Sequence, residues 1–139
     1  MAGIEALPFG VLIFVVGSLI VANAWAVVDA KVAVVAAARE AARTYVESTD
    51  PATGEHNAVQ AAEDALAGHG RASERLDLDI DDPGGLRRCE RVEVTARYPV
   101  PALTVPWVGS FGEGFVVRAT HSEVVDPFRD GLSGAADCV

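Results

Sequence analysis

Few side chains in this sequence could do chemistry, and their spacing argues against most of it. Histidine occurs only at positions 56, 69 and 121, and no two lie at a metal-ligand spacing. No CxxC, HExxH, phosphate-binding Gly-rich loop or G-x-S-x-G is present. Asp77, Asp79, Asp81 and Asp82 form an acidic run suggestive of calcium. An EF-hand loop needs a central glycine and a closing glutamate, but Asp82 and Arg88 occupy those places. The first three aspartates alternate with Leu76, Leu78 and Ile80, which makes them the solvated face of a strand. We therefore read no catalytic, cofactor-binding or metal site, and no enzyme. Two polar residues remain of interest. Glu5 stands at the lip of an apolar stretch, where it either snorkels to an interface or needs a partner such as a neighbouring α-amino group. Asn23 lies inside that stretch and could hydrogen-bond between helices.

The elements that would position these residues follow from the charge distribution. The chain has 139 residues and a net charge of −9, from 20 acidic and 11 basic side chains. Most of those charges lie beyond residue 48, whereas Ala6 to Val28 carries none. An acidic balance of this size excludes a basic nucleic-acid binder. As a helix, the uncharged run is about 34 Å long and spans a bilayer core of about 30 Å. It has no polar stripe, so the expectation is a transmembrane helix over about 6–28. A cleaved secretory signal competes, because Ala22-Asn23-Ala24 and Ala24-Trp25-Ala26 both have the A-x-A form. Against it, no basic residue precedes the stretch, which is also too long for a signal core.

The helical pattern continues through 29–48 without Gly or Pro, rich in Ala, Arg and Glu. One helix from near Leu7 to near Ser48 is expected, ending at Asp50-Pro51. Small residues recur at Ala33, Ala37 and Ala41. They reflect either helix propensity alone or a close helix–helix contact. Residues 49–139 then read as a small acidic domain. A polar loop over 51–57 leads to a short helix over 58–67, closed by Gly68-His69-Gly70. Strands are expected around Leu76–Ile80, over 91–100 and over 115–125. Val92, Val94, Ala96 and Tyr98 share one face of the second strand. Pro99 to Trp107, with three prolines and apolar residues, reads as a rigid connection between strands in preference to a contact surface, Gly109 to Gly112 as a turn, and the tail from Gly131 as loose. The fold class is α+β: a long helix, a short helix and a three-stranded antiparallel sheet whose apolar face the soluble half of the long helix covers.

Cys89 and Cys138 are the only cysteines. A bridge between them would stabilise so small a domain and implies an oxidising compartment. The flanking charges point the other way, since Lys31, Arg39 and Arg43 all follow the span and the positive-inside rule would place the domain in the cytoplasm. We expect it outside, on the strength of the cysteine pair and the acidic surface.

In layout the sequence resembles the TadE-like pilus assembly proteins, minor pilins or pseudopilins of the tight-adherence (Flp) system, in the short form seen in high-GC Gram-positive bacteria. The resemblance lies in Gly3 and Glu5 ahead of the apolar helix, in Ala36-Ala37-Ala38-Arg39-Glu40-Ala41-Ala42-Arg43, in Val92 to Pro99, and in His121 to Arg129. It covers most of the chain. It implies a pilin-like lollipop, held in the membrane and assembled with other pilin subunits and the pilus machinery. It also implies cleavage by a prepilin peptidase after Gly3, leaving Ile4 as the new N-terminus and Glu5 as the assembly carboxylate. The rival readings are a single-pass envelope protein that binds or senses without pili, and a small secreted protein released after Ala24 or Ala26.

Overall fold

The computed structural model describes residues 6–112 and 114–138. A single helix, α1 (Ala6–Val46), makes up the first third. Its 41 residues extend about 62 Å. The first half is bare, with Leu7, Phe9, Phe14, Ile20 and Val21 all exposed. Burial begins around Asn23 and becomes a stripe of Ala30, Ala33, Val34, Ala37, Ala38, Ala41, Ala42 and Tyr45. That stripe repeats at the three- and four-residue steps of a helix face.

Two bonds end α1 and turn the chain: the Glu47 amide donates to Arg43 O and the Ser48 amide to Tyr45 O. Helix α2 (Pro51–Gly68) follows at once. The expected polar loop over 51–57 is therefore the first part of a helix. Asp50 supplies the N-cap, accepting from the Thr53 amide at 2.9 Å, and Pro51 takes the first helical position, where its missing N–H costs nothing. The same bond holds the Asp50 carboxyl below its usual range. At the far end Gly70, at φ +69°, lets the chain leave by donating to Ala67 O. Helix α2 lies antiparallel against α1 and buries Gly54, Ala58, Ala62 and Leu66. A Cβ on Gly54 would come within 3.1 Å of the Tyr45 ring, so the seam is tight.

A short 3-10 turn (Ser73–Arg75) leads into β1 (Asp77–Asp81), β2 (Arg91–Val100) and β5 (Phe115–Val124), which form an antiparallel sheet in the order β1-β2-β5. Asp77 pairs with Arg97, and Arg91 with Val124. The inner face of β2 (Val92, Val94, Ala96, Tyr98 and Val100) packs on α1 together with Val117 and Ala119 of β5. On the outer face Thr95 is also buried, and its hydroxyl lies 3.0 Å from that of Thr120 across the strands. The fold is thus the α+β arrangement expected, with one addition. Residues expected to be a rigid connection and a turn form a two-stranded ribbon instead, β3 (Leu103–Val105) paired with β4 (Gly109–Phe111).

The alanine seam yields a direct test. Ala37→Leu inserts extra methylenes where nothing is exposed, and is expected to cost about 1–3 kcal/mol by overpacking. Denaturant unfolding of the full chain in detergent measures it, and Val35→Leu on the exposed face should change little.

Candidate functional site

The candidate functional surface is α1 and what docks on it. Among the described residues, α1 is the one helix long and apolar enough to cross a membrane, and none of its apolar stretch is buried by the rest of the chain. Gly3, Ile4 and Glu5 lie outside the described residues.

Within the described residues of this chain Asn23 does not reach another helix. Its side chain meets the ribbon: Oδ1 accepts from the Thr104 amide at 2.6 Å and Nδ2 donates to Thr104 O at 3.3 Å. Nδ2 also donates to Leu19 O at 2.8 Å within its own helix. Two residues 81 apart in sequence are thereby joined like neighbouring strands.

Nearly two helical turns further on is a charged layer. The Arg71 guanidinium, just past α2, donates to Asp29 Oδ2 at 2.7 Å and to Ala26 O at 2.9 Å, and sits 6.0 Å from the centre of the Tyr98 ring. Arg75 stacks on the same ring at 5.1 Å and donates to the Tyr98 hydroxyl. Lys31 Nζ donates to Arg118 O in β5. These contacts fix the end of α2 and the middle of β5 to α1 just where the uncharged run stops.

Above this layer the alanine seam closes the helix pair. Ala33, Ala37 and Ala41 are fully buried in it. At its far end the Tyr45 hydroxyl donates to Asp82 Oδ2 at 2.7 Å, and the same oxygen accepts from the Leu86 amide at 2.6 Å. Burial, and then the Asp82 carboxylate, push the Tyr45 phenol well above its ordinary pKa.

Cys89 and Cys138 are joined, with Cα atoms 5.1 Å apart. The tail is not loose where it approaches them. The Arg88 amide donates to Ser133 O, Arg88 Nε donates to Arg129 O, and the Cys89 amide donates to Val125 O.

The acidic run divides. Asp77 and Asp79 pair with Arg97 at 3.0 and 3.8 Å, whereas Asp82 turns inward to Tyr45. His56 and His69 are exposed and separate, and His121 contacts Glu123. Among the described residues no three His, Cys, Asp or Glu side chains gather where they could hold a metal. An open apolar groove runs along α1 past Phe14, Gly17, Val21 and Trp25, and a cleft of about 290 Å³ lies between Tyr45, Val59 and Leu78. Neither brings together a nucleophile, a base and an oxyanion donor. Comparison with protein-family models, with curated proteins and with solved structures gives no match for this chain.

Proposed function

We propose that this protein is a membrane-anchored minor pilin or pseudopilin that takes part in assembling a tight-adherence (Flp) type pilus, with no enzymatic activity of its own. The observation that carries the reading is the divided use of α1. Its first half is bare and apolar all round, and its second half is the spine of a small sheet domain. The face of that second half turned away from the sheet is also left open. Past the end of the uncharged run, Val32 and Val35 continue the exposed apolar stripe of Trp25 and Val28. A helix that only anchored its domain would have no use for such a stripe in water. One that moves from lipid into a bundle of like helices would bury it there. The resemblance in Ala36 to Arg43 and in the two long strands supports the same assignment.

The joined cysteines support an extracytoplasmic domain, since such bridges persist in oxidising compartments. Release by cleavage after Ala24 or Ala26 is disfavoured, because it would cut away Asn23, and after Ala26 the peptide unit whose oxygen Arg71 holds.

The test is the N-terminal residue and intact mass of the mature protein, from both membranes and sheared surface material. The expected result is Ile4, found in the sheared fraction. Met1 or Ala2 found in membranes alone would overturn fibre entry and leave a permanent anchor. A start at or beyond Asn23 would overturn the membrane reading as well.

A further inference from the structure

A second apolar surface lies at the base of the domain. From Tyr98 to Gly112 the sequence carries no charge, within a half of the chain that is otherwise strongly acidic. This segment comprises the end of β2 and the whole β3–β4 ribbon. Leu103, Trp107, Val108 and Phe111 are exposed on it, and Phe115 and Val116 extend the patch onto β5. Trp107 stands fully in the open at the turn, at φ +64°, a backbone region that bulky residues rarely enter. Among the described residues none covers the Trp107 side chain.

We propose that the β3–β4 ribbon is a second membrane contact, seated in the interfacial layer of the bilayer beside α1, with Trp107, Val108 and Phe111 turned into lipid. The proposal rests on the anchoring part of the functional reading and not on the pilus part.

Depth is the first argument. The Asn23–Thr104 bonds sit about 9 Å closer to the N-terminal end of α1 than the Asp29–Arg71 pair, at about 1.5 Å per residue. Interfacial segments bury their apolar side about 5–10 Å past the headgroup boundary. With the charged layer of Asp29, Lys31, Arg71 and Arg118 at the water side, the ribbon falls in that zone. The strand register agrees. Lys31 meets Arg118 O, and from there β5 runs back about 10 Å to Phe115, level with Trp25.

Backbone satisfaction is the second argument. A ribbon edge facing lipid would leave amide groups with no water to bond. Asn23 takes both the N–H and the C=O of Thr104 on the edge of β3. An asparagine within an uncharged, largely apolar stretch thus supplies the bonds that lipid cannot. Tryptophan at the tip has the interfacial preference the position requires.

The test uses the full chain reconstituted in phosphatidylcholine–phosphatidylglycerol vesicles. The protein has two tryptophans, so Trp25→Phe isolates Trp107 and Trp107→Phe isolates Trp25. Lipids brominated near the headgroup end of the chain should cut Trp107 emission to about half, lipids brominated at the chain terminus should do so far less, and acrylamide should reach Trp107 poorly. Trp25 reports on the anchor independently. If Trp25 is quenched by brominated lipid while Trp107 is not and stays open to acrylamide, the ribbon is in water: the proposal fails and the anchor stands. If Trp107 is shielded from acrylamide yet indifferent to bromine, protein covers it, a second copy for example, and the proposal fails. If neither tryptophan responds to brominated lipid, the anchor reading fails with it.

Discussion

Breaking the Cys89–Cys138 bridge, by reductant or by Cys89→Ser with Cys138→Ser, is expected to lower the free energy of unfolding by about 4 kcal/mol. The partners are 49 residues apart, and the bridge removes the freedom of that loop from the unfolded chain. Everything from β2 through β5 lies inside the loop, including the two strands that cover α1. Small domains have total stabilities of only about 5–15 kcal/mol, so the loss is a large share. Denaturant midpoints of the full chain in detergent, with and without reductant, measure it. A change below about 1 kcal/mol would mean that the bonds from Arg88 to Ser133 and Arg129 hold the tail without help.

The second large effect is expected at Asp82. Asp82→Ala removes one oxygen that serves both the Tyr45 hydroxyl and the Leu86 amide, and leaves two polar groups of a buried corner without partners. Bonds to a charged acceptor contribute about 1.5–3 kcal/mol each, so a loss of about 3 kcal/mol is expected. Tyr45→Phe should cost only about 1 kcal/mol, because it removes donor and demand together. The two substitutions should not add, since they share one bond. The corner also has an alkaline signature. In the folded protein the Tyr45 phenol is held neutral by burial and by Asp82, so its folded pKa is raised. The unfolded chain ionises first, near pH 10, and stability therefore falls as pH rises through that value. Tyr45→Phe should flatten that fall. If it leaves the alkaline slope unchanged, the phenol is not held as described.

Long-period features were legible from residue types alone. The uncharged run and the absence of Gly and Pro from Asp29 through Ser48 are enough to place α1, because helix length and membrane thickness set the requirement. Alternation placed β2 to the residue and β5 to within one, because one face of each strand must meet α1. The start of α2 was also written in the sequence, as Asp50-Pro51, but Thr53, Gly54 and Asn57 are poor helix formers and obscured it. The β3–β4 ribbon left little trace. Its strands have three residues each, and prolines at 99, 101 and 106 read as loop. The Asn23–Thr104 dock and the inward turn of Asp82 depend on tertiary placement. No local pattern marks Asn23 as the partner of a residue 81 positions away, or separates Asp82 from its exposed neighbours.

The alanine seam also bears on how the chain is made. Helix α1 is synthesised first, and the strands that cover it arrive only after residue 90. Helix α2 covers part of the inner face before then, and the part that meets the sheet waits in water, where exposed apolar surface invites aggregation. That face is mostly methyl groups, at Ala30, Ala33, Ala37, Ala38, Ala41 and Ala42, with Val34 and Tyr45 its larger members. Alanine adds helix propensity and little adhesive area. The nascent helix can therefore form early and remain unentangled, and its attraction for the sheet comes from close fit once β2 and β5 have paired.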